Sequence, residues 1–373
     1  MQEKIKKLAS MIVHYSLALK KGDKVLITYQ NSLARELVKE IIKEAINSGS
    51  IPYINLTDPI LSNLLSEYTT TERIKLIKSY QQFEIDQFDA FVNIRYNLND
   101  YEGKNVKPHI IHELGEALYE IQDEKINNRR WVLLNYPSVL DAYKAKMKID
   151  EFENFAFDVM TVDYQEMSEA IKPLKELMEK TDKVRIVSPN TDITFSIKGM
   201  NAIACTAEKN IPDGELYTAP IKTSVNGTIT FNTKSPYQGN IYNHVSLTFE
   251  NGKIIKATCD ENDDALNKIF EADEGAKYIG EFSIGFNPKI LYPMGDILYD
   301  EKILGSIHFT PGRAYKDSYN GNESSIHWDL VLIQRKEFGG GEIYFDDKLI
   351  RKDGMFVLDE LKPLNYGFDK EVS

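Results

Sequence analysis

Two periodicities divide the chain. Between residues 24 and 134, short apolar runs alternate with helical patterns. Lys24-Val25-Leu26-Ile27-Thr28 predicts a strand. Ser32 then serves as an N-cap, and Leu33, Leu37, Val38, Ile41, Ile42, Ala45 and Ile46 recur at helical spacing up to a stop at Gly49. Residues 51–55, 90–94 and 131–134 are further expected buried strands, separated by helical stretches over 59–65, 109–121 and 138–147. Repeated strand-helix units imply an open parallel sheet with helices on both faces. A helix over 164–180, with Met167, Ala170, Ile171, Leu174, Leu177 and Met178 on one side, closes this region. Beyond it the period changes to that of strands, at 184–187, 193–197, 227–231, 245–249 and 253–257, with Glu250-Asn251-Gly252 as an Asn-Gly hairpin signal. The expected fold class is α/β, with an open-sheet N-terminal domain over 1–180 and a β-rich α+β C-terminal domain over 181–373. Phe338-Gly339-Gly340-Gly341 lies between strand-like segments and is expected to be a loop.

Composition narrows the function classes. A length of 373 residues favours two cores over one. The net charge of −12 disfavours nucleic acid or an anionic membrane as partner and tolerates a cationic substrate group such as a free amine. The start of the chain has no uninterrupted apolar run, so neither a leader nor a spanning segment is expected, and the setting is expected to be cytoplasmic. Cys205 and Cys259 are too few for a disulfide framework and are expected to be small buried hydrophobes. No G-x-G-x-x-G, Walker or G-x-S-x-G pattern is present.

Candidate chemistry gathers in the second half, at Glu215, Glu281, His308, Tyr315 and His327-Trp328-Asp329. Residues 326–333 predict a strand, on which His327 and Asp329 share one face while Trp328 and Leu330 take the other. Imidazole and carboxylate together suit divalent metals, and the set could hold two ions without specifying which. Glu281 interrupts an apolar strand, where a buried carboxylate needs a cation or donors. Glu215 alone, in a turn opened by Pro212 and Gly214, has the look of a loop acid, and His308 alone that of a satisfied core histidine. His109 and His112 have helical spacing but not the H-E-x-x-H order, and a solvated face is expected there.

These segments resemble the M29 family of metallo-aminopeptidases. The resemblance is carried by residues 191–199, 210–220, 272–281, Gly312-Arg313-Ala314-Tyr315 and residues 322–329, with a fainter match at 20–27. It implies an aminopeptidase acting on short peptides with a free N-terminus, two co-catalytic divalent ions per chain (zinc, cobalt, manganese or magnesium), a Rossmann-like first domain and a homodimer. Carried over residue by residue, Glu215, Glu281, His308, His327 and Asp329 fall on the family's metal ligands and Tyr315 on its active-site tyrosine. Glu215 or Glu281 would take a proton from the attacking water, and Tyr315 would stabilise the oxyanion. The stretch from Tyr315 to His327 is shorter than the family pattern, and the region around Tyr299-Asp300-Glu301 matches only with gaps, which leaves the role of Glu301 open. Two alternatives share the scaffold. One is a mononuclear iron ring-cleaving dioxygenase of the 2,5-dihydroxypyridine type, using His308, His327 and Asp329. The other is a catalytically degenerate peptide-binding homologue.

Overall fold

The computed structural model describes residues 1–237 and 239–368. The chain forms two compact units, one of Met1–Thr161 with Ala207–Pro212, the other of Val162–Thr206 with Asp213–Ser373. The division thus falls at 161/162 rather than at 180/181, and one short segment returns to the first unit. The expected single helix over 164–180 is two helices, Tyr164–Ala170 and Lys172–Lys180, with a proline in the first turn of the second. Met167, Ile171, Leu174 and Met178 are buried within the second unit, which is why these helices belong there.

The first unit is built on a five-stranded parallel sheet in the order Ile51–Leu56, Lys24–Tyr29, Ala90–Arg95, Arg130–Asn135, Asn210–Ile211. On one face, Leu26 and Phe91 pack with Ile85 of helix Thr71–Gln87 and Ile121 of helix Pro108–Asn128. The expected helix over 138–147 is shorter, Val139–Lys144. Ser138 and Asp141 form its capping box, and a second helix, Ile149–Met160, follows. Strand Ile51–Leu56 corrects the expectation of a buried strand. It is the sheet's edge, and Ile51, Tyr53, Ile54 and Leu56 are all exposed. Apolar content alone does not distinguish an edge from a centre. Among the described residues, no helix is long and apolar enough to cross a membrane.

The second unit contains an eight-stranded and a five-stranded antiparallel sheet, besides a two-stranded ribbon. The hairpin signal at Asn251-Gly252 joins Ser246–Glu250 to Lys253–Thr258, with positive φ at both turn residues. The five-stranded sheet runs Leu330–Ile333, Ser306–Pro311, Ile279–Gly285, Glu215–Thr218, Ile203–Cys205. Alternation gives this sheet two different faces. Phe282 and Phe309 project to the core, where Phe195 of the larger sheet meets them with ring centroids at 5.0 and 5.2 Å. Glu281, Ser283, His308 and Thr310 alternate with them and face the other way. The apolar half of each strand therefore anchors the polar half rigidly in place.

Candidate metal centre

The three inner strands of this sheet, with the segment leading into its edge strand Leu330–Ile333, bring the candidate residues together. Glu215 opens strand Glu215–Thr218 and is buried, unlike the loop acid that its turn taken alone suggests. Its Oε2 accepts from Ser283 Oγ at 2.8 Å, and its Oε1 lies 3.3 Å from Lys302 Nζ. Glu281 lies on the neighbouring strand, every residue of which is buried. Its Oε1 is 2.9 Å from His308 Nε2, while its Oε2 is 3.6 Å from His327 Nε2 and has no hydrogen-bond partner.

The strand expected over 326–333 begins only at Leu330, and His327 sits in an isolated bridge to Gly312. The expected facing nevertheless holds. His327 Nε2 is 3.4 Å from Asp329 Oδ1, and buried Trp328 packs away from them among Tyr237, Tyr242 and Phe270. Asp329 Oδ1 also accepts from Thr310 Oγ1 at 2.7 Å.

Both histidines are aimed by backbone carbonyls. His327 Nδ1 lies 2.8 Å from the Arg313 carbonyl, and His308 Nδ1 lies 3.3 Å from that of Glu301. A carbonyl can only accept, so Nδ1 carries a proton in each ring, and Nε2, which points into the site, is the atom left to a metal. Gly280 permits the first contact. A Cβ there would meet the Gly312 and Arg313 backbone at 2.4–2.5 Å.

The backbone of 301–303 crosses equally close to Gly285, where a Cβ would meet the Glu301 and Ile303 carbonyls at 2.8 Å. This approach carries Glu301 into the site, beside His308 and Asp329. Glu301 follows the short helix Ile297–Asp300, and the sequence left its role open. The Tyr315 ring packs tilted against His327 and Tyr217, with centroids 4.7 and 5.7 Å away.

Without metal, the site is electrostatically tense. Burial pushes the Glu281 carboxyl up against the opposing pull of His308. Burial, with Glu215 and Asp329 nearby, pushes Glu301 up to about 8 although Lys302 opposes it. Burial works against charge on His308, but Glu215 and the hydrogen-bonded Glu281 outweigh it and raise the imidazole to about 10. The same contest holds Asp329 below its ordinary value, because His327 and His308 offset its burial. Tyr315 is 43% exposed as a residue, but desolvation at its hydroxyl end and the surrounding carboxylates raise that hydroxyl, so it stays protonated as a donor.

These residues fit a divalent metal. Ligand atoms of Glu215, Glu281 and His308 lie within 4.8 Å of one another, and so do those of Glu281, His327 and Asp329 and of Glu301, His308 and Asp329. The unpartnered Glu281 Oε2 is a buried acceptor that a cation would satisfy.

Elsewhere the histidines behave as surface groups. His109 and His112 are exposed, and His112 lies 3.5 Å from Glu116 one helical turn on. The cysteines are free and only half-buried, which corrects the expectation of full burial. Cys205 pairs in register with Glu215, and burial raises its thiol.

Comparison with known proteins agrees with this architecture. The chain is 21% identical to aminopeptidase PepS of Streptococcus thermophilus over 89% of its own length and 92% of that protein's. It is 32% identical to aminopeptidase AmpS of Bacillus subtilis over 33% of its own length, an alignment spanning only 30% of that relative. The solved structure of wild-type AmpT from Thermus thermophilus superposes with a TM-score of 0.74 at 16% identity, covering 95% of this chain and 99% of that one. That of 2,5-dihydroxypyridine dioxygenase from Pseudomonas putida superposes with a TM-score of 0.64 at 14% identity, covering 97% and 99%. At these identities the two structures establish a shared fold. Residues 1–356 match the thermophilic metalloprotease family, M29, and with nearly the whole length matched the chain belongs to that family.

Proposed function

We propose that the protein is a metal-dependent aminopeptidase that removes the N-terminal residue from short peptides, using two co-catalytic divalent ions. Glu215, Glu281 and His308 would hold one ion and Glu281, His327 and Asp329 the other, with Glu301 serving the same pair. The observation that carries the proposal is Glu281, buried between the two groups with one oxygen towards each and the second oxygen without a hydrogen-bond partner. Zinc, cobalt, manganese and magnesium all suit this donor set.

Divalent ions would supply Lewis acidity and a water acidified towards neutrality. The chain's own groups supply the rest. Glu215 accepts from Ser283 and pairs with Lys302, Glu281 turns one oxygen to each group, and one of these two carboxylates would exchange a proton with the attacking water. Tyr315, kept protonated, would donate to the developing oxyanion. The surplus of carboxylates favours a substrate that presents an ammonium group. A homodimer, implied by the resemblance, and a cytoplasmic setting belong to the same proposal.

The iron dioxygenase would need only His308, His327 and Asp329. The buried Glu215 and Glu281 and the half-buried Glu301 beside them favour the two-ion hydrolase, and a ligand set with every member converged speaks against a degenerate binder. Metal analysis of the purified protein tests the proposal. Two ions per chain, with activity lost to a chelator and the fold retained, is the expected result; a single iron per chain would establish the dioxygenase instead.

A further inference from the structure

Lys302 is a lysine with no exposed side-chain surface, and its ammonium lies among the candidate ligands. Nζ is 3.3 Å from Glu215 Oε1 and also contacts Glu301 Oε1. The other oxygen of Glu215, Oε2, faces His308 Nε2 at 3.5 Å. The ammonium thus holds the outer oxygen of Glu215 while the inner one points at a prospective ion.

Its position is fixed. The Lys302 N–H donates to the Tyr299 carbonyl at 3.0 Å, and its own carbonyl accepts from Asn287 N–H at 3.0 Å. The absence of a Cβ at Gly285 lets this segment lie against the sheet. A lysine so enclosed cannot swing into solvent when an ion arrives. Four carboxylates, Glu215, Glu281, Glu301 and Asp329, converge on this site, and the two histidines offer it their Nε2 atoms. Lys302 is the one permanent cation among them.

We infer that Lys302 is a built-in counter-cation, which holds Glu215 and Glu301 together before metal arrives and weakens binding of the ion on the Glu215 side relative to the ion on the His327 side. The inference rests on the two-ion proposal above. Its physical basis is like-charge repulsion. A fixed ammonium sharing Glu215 with a divalent ion lies only a few ångströms from it, in a site where solvent screens little. The same charge stabilises the empty cage by standing between Glu215 and Glu301. Lys302 is therefore a positioning residue, and the two ions should load in sequence.

Calorimetric titration of chelator-stripped protein with cobalt, alongside thermal melts of the metal-free form, tests this. Wild type should bind two ions with affinities separated by at least about tenfold. Lys302→Met should tighten the weaker step by at least about tenfold while lowering the metal-free melting temperature by several degrees. A merely structural defect would weaken binding instead, so tightening cannot come from misfolding. Lys302→Gln, which removes the charge but keeps a hydrogen-bonding end, should shift the affinity in the same direction. Unchanged or weaker binding in both variants, or two equal affinities in wild type, would overturn the inference. If neither variant folds without metal, the wild-type isotherm decides alone. One ion or none per wild-type chain would defeat the two-ion proposal itself, an outcome separate from failure of the Lys302 role.

Discussion

Glu281→Gln separates chemistry from folding at the centre of the site. The substitution preserves shape, and the residue is only 4% exposed, so the packing around it should not change. It removes a negative charge that stands 2.9 Å from His308 Nε2 on one side and 3.6 Å from His327 Nε2 on the other. A unit charge pair at about 4 Å contributes roughly 4 kcal/mol at an effective dielectric constant near 20, and here the charge would face two divalent ions. Loss of a positioned proton acceptor costs a further factor of about 10² to 10⁴. Turnover measured with saturating metal should therefore fall by at least about 100-fold. The metal-free protein should respond oppositely. Burial already disfavours the charged form of Glu281, so a neutral amide removes a cost, and the melting temperature in chelator should stay level or rise. Turnover within about tenfold of wild type would refute the assignment of Glu281 to the chemistry. A metal-free melting temperature lowered by more than about 5 °C would show that its contact with His308 is structural.

Three further outcomes follow from the same geometry. Glu301 near 8 and His308 near 10 hold protons more tightly in the folded, metal-free chain than at their ordinary values of 4.5 and 6.5. Their stabilising contribution is complete below those ordinary values and is lost as pH rises through about 8 and then about 10. Melts in chelator should fall progressively from pH 4.5 to about pH 10, while metal-loaded melts stay flatter because ions replace the protons; a chelated curve that rises with pH over this window would contradict this. Tyr315→Phe keeps the ring contacts with His327 and Tyr217 but removes the donor, so kcat should drop by about 10² to 10³ with KM little changed, as steady-state kinetics will show. His109→Ala, at an exposed helix position, should leave kcat/KM and melting temperature unchanged in the same assays.

Local pattern made part of this site legible. The shared face of His327 and Asp329 follows from a two-residue spacing, and it survives although the regular strand starts later, at Leu330. Glu281 was visible because a carboxylate interrupts an apolar strand. Glu215 was not, since nothing in a Pro-Gly turn announces that the next four residues become an inner strand of a five-stranded sheet. Glu301 and Lys302 depend on a loop crossing Gly285, a long-range approach with no local periodicity. The same limit hid the domain division. Helices 164–170 and 172–180 show an apolar stripe, but a stripe does not say which core receives it. The edge position of Ile51–Leu56 was likewise invisible, because strand order is set by pairing between distant segments.

The most direct test of the account is one short peptide offered in two forms, with a free and with an acetylated N-terminus, to protein stripped by chelator and reconstituted in turn with cobalt, zinc, manganese and magnesium. An acid-rich site that positions an ammonium group while the first carbonyl meets the metals should release single N-terminal residues from the free peptide only in the presence of metal. Acetylation removes that charge and adds bulk, so kcat/KM for the blocked form should collapse. Equal cleavage of both peptides, or cuts at internal bonds, would contradict the aminopeptidase function even if hydrolysis proved metal-dependent.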